Sequence, residues 1–266
     1  MSELRFSIDS KKLIDSLNLI MLKGKYPSGT SHRMKSLSDY VYIVGAENYL
    51  EFYNADNTSS CSYKIRATQD LTVDNISTSC EIRVMGECIL DIPKTIKYLK
   101  TFSGVVHVNV EDYVTLTTEN KTAKIPYVVS HPCYAMIEHV RNFELPTDGS
   151  MPSFGKENTK FEAEVTIDAK HLLDGANSCD VIGMGKYEFD YDGTSFSMSS
   201  PQEGIEGIKI DIELLTHSGE EATVELAGPF AQFLDGPTVI YLKDEFHVLF
   251  ISPNRKLIKA PRITGR

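Results

Sequence analysis

The sequence lacks several features that mark particular classes of protein. It has no tryptophan, and no apolar run approaches the ~20 residues that a helix needs to cross a bilayer. Its N-terminus alternates in polarity and carries an acid at Glu3, which is not the pattern of a secretory signal. The cysteines number five, and this odd count favours reduced thiols over a disulfide framework. We therefore expect an intracellular globular protein that is not associated with a membrane.

Motifs for catalysis or metal binding are also scarce. Residues 183–186 (GMGK) lack the spacing and the Ser/Thr of a phosphate-binding loop. His131 and Cys133 are close in sequence, but a nucleophile and its base must meet in space, so a surface loop is the simpler interpretation. Cys80 and Cys88 have no second pair at zinc-finger spacing. The sequence therefore predicts no catalytic residue, no metal site and no cofactor.

Acidic residues outnumber basic ones, mainly in the second half of the chain. The net charge is −10 at pH 7. Residues 1–146 hold 16 basic and 17 acidic residues, whereas residues 147–266 hold 11 and 20. An acidic protein with basic residues gathered at a few places can still attract phosphates, because the local field sets that attraction. The charge balance therefore does not exclude a nucleic-acid partner.

The chain contains an internal repeat, which bears directly on its fold. Residues 6–18 (FSIDSKKLIDSLN) align without a gap with residues 165–177 (VTIDAKHLLDGAN), and six of the 13 positions are identical. Each copy predicts a strand of alternating apolar residues followed by a helix. Asp9 and Asp168 occupy the helix N-cap, where a carboxylate accepts hydrogen bonds from first-turn N–H groups.

A second pair of segments matches in the same order. Residues 89–93 and 224–229 each end in a proline that suits the first turn of a helix. These helices, the second at residues 228–235, are predicted to end near Gly104 and Gly236. Three short strands follow in each half: Val105–Val110, Tyr113–Thr118 and Thr122–Tyr127, then Thr238–Leu242, Phe246–Ile251 and Lys256–Ile263. Two matches in one order indicate a duplicated domain.

The duplication predicts an α+β fold of two similar domains, each with helices packed on antiparallel sheets. Further alternating segments predict strands at Tyr40–Val44, Tyr49–Tyr53 and Ser60–Arg66. A stretch with proline and glycine and little periodicity separates the copies, as an interdomain connector would. The predicted boundaries are 1–140, 141–160 and 161–266. The first copy also has extra length at residues 23–38 and 67–79, to which the sequence assigns no role.

The predicted helix at residues 92–102 has two distinct faces on a helical wheel. Its apolar face holds Ile92, Ile96, Leu99 and Phe102, and its opposite face holds Lys94, Lys97 and Lys100. Such a lysine row is often only a solvated helix face. Here no glutamate stands among the lysines at ion-pairing spacing, and the chain is acidic elsewhere. Both facts favour sequence-independent contacts with phosphates.

The predicted helix at residues 10–20 repeats this arrangement more weakly. Lys11 and Lys12 lie away from its apolar stripe, which is formed by Leu13, Leu17 and Ile20. The second copy keeps the first lysine as Lys170 and has His171 in place of the second. The predicted helix at 228–235 has no basic residue. A surface that faces DNA would therefore be uneven.

The two copies of strand, helix and strands, the connector, and the ending Leu257-Ile-Lys-Ala-Pro-Arg-Ile263 together resemble the DNA sliding clamp superfamily. This superfamily includes proliferating cell nuclear antigen and the bacterial polymerase III beta clamp. The resemblance implies a closed ring of six such domains around duplex DNA, hence three chains, a homotrimer. It implies a non-enzymatic processivity factor inside the cell, at DNA (cytoplasm, nucleoid or nucleus), whose partners are double-stranded DNA, a DNA polymerase, a clamp loader and proteins with short peptide motifs.

The resemblance also implies two sets of site residues. The DNA-binding lysines that line the channel would be Lys11, Lys12, Lys94, Lys97, Lys100 and Lys170. The peptide pocket beneath the connector would be bordered by Leu145, Met151, Phe154, Ala260 and Pro261. Without the resemblance, Ala260 and Pro261 would be interpreted simply as the end of a strand.

Three alternatives remain open from the sequence. The chain could be one subunit of a heterotrimeric or checkpoint-type clamp, or a viral processivity factor that works as a monomer. It could also be a structural β-rich protein whose duplicated domains assemble without DNA.

Overall fold

The structure, a computed structural model, describes residues 3–22, 39–68, 79–126, 128–200 and 207–262. The chain divides into two compact units. The first takes the described residues within 1–21, 33–56 and 62–137, and the second takes those within 22–32, 57–61 and 138–266. The connector, residues 141–160, thus groups with the second unit. The domain boundaries predicted from the sequence stay a prediction.

The first unit contains two β-sheets with helices packed against them. One sheet has the strand order β5-β1-β7-β8-β9, and the other has the order β4-β3-β2-β6. The strands are β1 (Leu4–Asp9), β2 (Tyr40–Ala46), β3 (Tyr49–Ala55), β4 (Ser59–Thr68), β5 (Cys80–Val84), β6 (Gly86–Asp91), β7 (Val105–Val110), β8 (Tyr113–Thr118) and β9 (Lys121–Pro126). The helices are α1 (Ser10–Ile20), α2 (Ile92–Leu99) and the start of α3 (Tyr134–Arg141).

Helices α1 and α2 begin where the sequence indicates. Asp9 accepts hydrogen bonds from the N–H groups of Lys11 and Lys12, both at 3.0 Å. Asp91 caps α2 in the same way, accepting from the N–H of Lys94 at 2.8 Å. Leu13, Leu17, Ile20, Ile92, Ile96 and Leu99 of the predicted apolar stripes are all buried, whereas Phe102 is half-buried and lies beyond the end of α2 at Leu99. These stripes hold the helices on the sheets and leave their other faces to solvent.

The second unit has the same layout. One sheet contains the order β16-β12-β18-β19-β20, and the other has the order β15-β14-β13-β17. Helix α4 (Ala169–Cys179) lies against β14 and β15. The strands are β10 (Ser153–Phe154), β11 (Thr159–Lys160), β12 (Ala163–Asp168), β13 (Lys186–Tyr191), β14 (Phe196–Ser199), β15 (Lys209–Ile212), β16 (Thr216–Gly219), β17 (Ala222–Ala227), β18 (Pro237–Leu242), β19 (Val248–Ser252) and β20 (Arg255–Lys259).

One hydrogen bond recurs at the same place in both units. Ser10, the first residue of α1, donates its N–H to Gly104 O at 2.9 Å, and Ala169, the first residue of α4, donates to Gly236 O at 2.9 Å. Both glycines have positive φ, 69° and 59°, which lets the chain turn into β7 and β18. Those strands pair antiparallel with β1 and β12. The predicted α+β fold with duplicated units is confirmed.

The prediction of a helix at residues 228–235 is wrong. Only a short 3₁₀ turn forms there, Ala231–Phe233. Gly228 has φ 79°, and Phe230, which precedes the turn, has φ −151° and makes no side-chain cap. Phe230, Phe233 and Leu234 are all buried, so this segment follows the core instead of presenting one apolar stripe. Burial of these side chains on several sides therefore sets the backbone conformation of the segment, although Pro229 and Gly236 predict a helix.

The segment expected as a surface loop at residues 130–133 is instead fixed in the first unit. His131 is buried, and its Nε2 lies 3.1 Å from Tyr40 O. Its Nδ1 accepts the N–H of Cys133 at 3.0 Å, just before α3, a helix that the sequence did not predict. Strands β9, β19 and β20 begin or end within a few residues of their predicted bounds. The extra segment at 23–38 lies outside the described residues, as do residues 69–78 of the extra segment at 67–79.

The cysteine thiols are enclosed in the cores. All five are buried and free of disulfide bonds. Burial raises the pKa of the Cys80 thiol to about 12 and that of the Cys179 thiol to about 11. Within the described ranges, no helix is long and apolar enough to cross a membrane, and no group of three or more His, Cys, Asp or Glu could hold a metal ion.

Candidate nucleic-acid interface

The predicted DNA-binding lysines stand on the solvent sides of three helices. Five of the six side chains are exposed, and only Lys12 is half-buried. In the part of the chain that the structure describes, none of the six forms an ion pair. Lys11 and Lys12 lie on α1, Lys94 and Lys97 on α2, Lys100 at the α2 C-cap, and Lys170 on α4. Their ammonium groups are thus available to anions.

The first unit gathers most of this positive charge, because α1 packs against α2. Lys12 lies beside the ring of Tyr63, with its Nζ 5.9 Å from the ring centroid. This contact with an aromatic face restrains one ammonium group, whereas the lysines on α2 keep their rotamer freedom. Mobile ammonium groups suit loose contacts with phosphates that involve no reading of bases.

The second unit carries little positive charge on its corresponding helix. Lys170 and His171 are exposed on α4, and Asp174 follows them in the next turn, also exposed. The 3₁₀ turn that corresponds to α2 has no basic residue. The two units therefore offer anions unequal surfaces, as the sequence indicated.

Of the connector residues predicted to contact partners, Phe154 is enclosed. Its ring lies 4.9 Å from the ring of His247, 5.7 Å from that of His139 and 6.5 Å from that of Phe143. Only 9% of the residue is exposed. The structure thus gives Phe154 a packing role, in which it anchors the small hairpin of β10 and β11 to the second unit. Sequence reasoning missed this cluster because its members are far apart in the chain.

The remaining connector residues are more accessible. Leu145 is 42% exposed, and Met151 is half-buried. The first residues of the connector are held against β20, because Lys256 of that strand donates a hydrogen bond from Nζ to Phe143 O at 2.8 Å. Leu145 is two residues beyond Phe143, so this contact restrains an exposed apolar side chain near the strand that leads into the C-terminal tail.

The tail after β20 is tied down on both sides. Ala260 donates its N–H to Thr58 O at 2.8 Å. Arg262 donates its N–H to Glu225 O at 2.7 Å, and its guanidinium Nη1 reaches the Glu225 carboxylate at 3.0 Å. Between them, Pro261 is half-buried and has no N–H to satisfy. The ordered tail therefore presents Ala260 and Pro261 in one fixed conformation.

Five strands, β6, β9, β15, β16 and β17, each pair with a single neighbouring strand within the described residues. β9 pairs only with β8, and β15 pairs only with β14. Beside β15 lies an open groove of about 300 Å³. Its lining includes Gly175 of α4 and Ile210 and Ile212 of β15, with Asp174 and Glu213 among its polar groups. Unpaired strand edges are ready to accept a strand from another chain.

Solved structures of known proteins share this architecture. A structure of PCNA from A. fulgidus bound to the C-terminal region of FEN-1 matches with a TM-score of 0.63 at 16% identity, covering 99% of this chain and 100% of that one. PCNA from Thermococcus kodakaraensis matches with a TM-score of 0.62 at 10% identity, covering 97% and 100%. The chain has the sliding-clamp fold.

A bacterial clamp gives the same result over part of its length. The DNA polymerase III beta subunit from Thermotoga maritima matches with a TM-score of 0.68 at 12% identity, covering all of this chain and 67% of that one. Compared by sequence, no protein-family model and no curated protein matches this chain. The resemblance noted from the repeats and the Ala-Pro ending is confirmed at the level of the sliding-clamp fold.

Proposed function

We propose that this chain is a DNA sliding clamp, a non-enzymatic processivity factor that encircles duplex DNA inside the cell and tethers a polymerase to it. The observation that carries the proposal is the exposed lysine surface on α1 and α2 of a chain with the sliding-clamp fold. A protein that reads base sequence would need a dense recognition surface, whereas a ring needs only weak attraction to phosphates, because threading itself prevents escape.

The ring would close head to tail through two of the unpaired edges, one in each unit. Strand β9 of one copy would pair with β15 of the next, so that both edges are satisfied at each junction. Because the two edges belong to different units, the contact is heterologous, and a rotation that closes gives a ring. Two units per chain and six around the ring make a homotrimer.

Peptide-motif partners would dock at the surface formed by the connector and the tail. Leu145 and Met151 would supply apolar contacts on one side, with Ala260 and Pro261 on the other. Support comes from the exposure of Leu145 and from the hydrogen bonds that order the tail. One neighbour of the same fold is a PCNA bound to the C-terminal region of FEN-1. Phe154 would support this surface from within, without touching the partner.

The test of this function is topological. Diluted chain would be mixed with nicked circular DNA, concentrated to allow assembly, and then separated by gel filtration in about 1 M salt, where simple phosphate attraction is lost. A clamp should co-elute with the circle and should be released when a restriction enzyme linearises it. The same DNA linearised before mixing is the matched control. Equal retention of the chain on circular and on linear DNA, or no retention on either, would contradict the proposal.

A further inference from the structure

We propose that Arg262 is a latch that positions the tail, residues 260–262, for peptide partners by holding it along the edge of β17 at Glu225. The inference rests on the proposed function, because it assumes that Ala260 and Pro261 contact the peptide. It goes further by making the peptide affinity of this surface depend on a residue that does not touch the partner. Arg262 is thus a positioning residue, which acts through the conformation of the tail.

The tail covers part of a strand edge. Within the described ranges β17 pairs with β13 alone, so its other edge has no strand partner. Two groups on that edge are nevertheless bonded: the N–H of Thr223 donates to Asp244 Oδ1 at 2.6 Å, and the carbonyl of Glu225 accepts the N–H of Arg262 at 2.7 Å. The tail thus stands in the place of a further strand at Glu225, where an open edge could otherwise pair with another chain.

The conformation of Pro261 depends on the residues on either side of it. Ala260 donates its N–H to Thr58 O at 2.8 Å, and Arg262 makes the next backbone hydrogen bond, to Glu225. Pro261 has no N–H and cannot donate a bond of its own. The three residues lie outside helices and strands, and such a segment stays ordered only where its backbone is bonded or packed. Release of Arg262 would therefore leave Pro261 flanked by a backbone bond on one side only.

The charges around Glu225 favour the latched position of the tail. Arg262 Nη1 lies 3.0 Å from a carboxylate oxygen of Glu225, and the two side chains are only 22% and 26% exposed. Glu188 of β13 stands directly opposite Glu225, and like charges in that position repel each other. Within the described residues Glu188 forms no ion pair, and its carboxylate accepts only a hydrogen bond from Ser199 Oγ at 3.2 Å. The guanidinium of Arg262 therefore offsets a repulsion between two neighbouring strands.

The latch sets the fraction of chains whose tail is ready to bind a peptide. When that fraction falls, the apparent dissociation constant rises as its inverse. The rate of association falls with it, whereas the rate of dissociation stays the same, because the contacts in the finished complex are unchanged. A side chain that touched the peptide would instead change mainly the rate of dissociation. The two rates therefore distinguish a positioning residue from a contact residue.

Hydrogen exchange tests whether Arg262 holds the tail. Arg262→Gln opens the latch, and Arg83→Gln is the matched control, because Arg83 forms an ion pair with Glu81 in the first unit at 3.1 Å. Mass spectrometry of fragments that include residue 262 should show faster exchange at the tail in the first variant and none in the second. The double exchange Arg262→Glu with Glu225→Arg should restore much of the protection that Arg262→Glu alone removes. Unchanged exchange in both single variants would overturn the latch.

Binding kinetics test what the latch does for partners. The probe is a linear peptide, selected from a displayed random library, that binds the parent chain and fails to bind the Pro261→Glu variant. Arg262→Gln should slow its association about fivefold and leave its dissociation rate unchanged. Arg262→Lys, which keeps the charge, should recover most of the loss, and Arg83→Gln should change neither rate.

Two results would contradict this role, and they are distinguishable. An effect of Arg262→Gln confined to the dissociation rate, or no effect on either rate, would overturn the latch while leaving the peptide surface and the clamp intact. If no peptide that depends on Pro261 can be selected, the proposed peptide surface is itself wrong, and the inference that rests on it is overturned as well.

Discussion

The ring of Phe154 packs against the ring of His247 at 4.9 Å, and this contact fixes the connector hairpin to the second unit. Phe154→Ala should therefore lower the free energy of unfolding by about 3–5 kcal/mol, since a buried aromatic side chain leaves a cavity. Leu145→Ala, in the same connector but 42% exposed, should cost less than about 1 kcal/mol. Urea denaturation of both variants measures the difference, and equal losses would contradict the packing role of Phe154.

Buried His131 predicts a stability that depends on pH. Burial lowers the pKa of His131 below its ordinary 6.5, because the charged ring is poorly solvated there. At pH values between the lowered pKa of His131 in the folded protein and its ordinary pKa in the unfolded chain, the folded protein thus binds fewer protons. The contribution of neutral His131 is complete above about pH 6.5 and is lost as the pH falls through the lower, native pKa.

Substitution of His131 gives the corresponding measurement. His131→Gln should lower stability by about 1–3 kcal/mol at pH 7.5, since the N–H of Cys133 loses its acceptor. The variant should also lose part of the decline in stability between pH 7.5 and 5.5 that the parent shows in urea titrations. His247 provides the comparison, because burial and nearby His139 also lower its pKa, so some decline should persist. If the free energy of unfolding of the variant depends on pH as that of the parent does, His131 does not contribute to the dependence.

The lysines on the helices predict a defined salt dependence of DNA association. Changing Lys11, Lys97 and Lys100 together to Ala should weaken binding to duplex DNA of any sequence. The slope of log K against log salt should become shallower by about 0.9 for each lysine that contacts a phosphate. Fluorescence anisotropy at several salt concentrations measures both effects. Lys156→Ala, an exposed lysine in the connector, is the control, and equal slopes for all variants would place the DNA elsewhere.

The ordered tail predicts a site for peptide partners. Pro261→Glu should weaken the binding of a motif peptide by about tenfold or more, because a carboxylate would have to be desolvated against an apolar contact. The oligomeric state should not change, since the tail does not belong to β9 or β15. Calorimetry with peptides from candidate partners measures the loss. Undiminished binding would exclude Pro261 from the peptide surface.

Local signals in the sequence predict the helix starts and much of the duplicated fold. Asp9 and Asp168 mark their helices correctly, because an N-cap depends on residues within one turn. Residues 228–235 do not form the helix that their proline and glycine predict, because Phe230 and Phe233 are buried on more than one side. Tertiary burial overrides propensity in such a segment.

The candidate sites are predicted less well than the fold. Exposed lysines are visible as a helical pattern, because one face of an amphipathic helix must meet solvent. The enclosure of Phe154 depends on His247, and the anchoring of Arg262 depends on Glu225, neither of which is near in sequence. The groove beside β15 likewise arises only once α4 packs on the sheet. Contacts between distant residues leave no periodic trace in the sequence.

Negative-stain electron microscopy of the purified chain, with two-dimensional averaging, shows whether the chain closes into a ring by itself. A homotrimeric clamp should give closed rings of six similar lobes around a hole wide enough for duplex DNA, formed by this chain alone. Single two-lobed particles at every protein concentration would contradict the homotrimeric clamp.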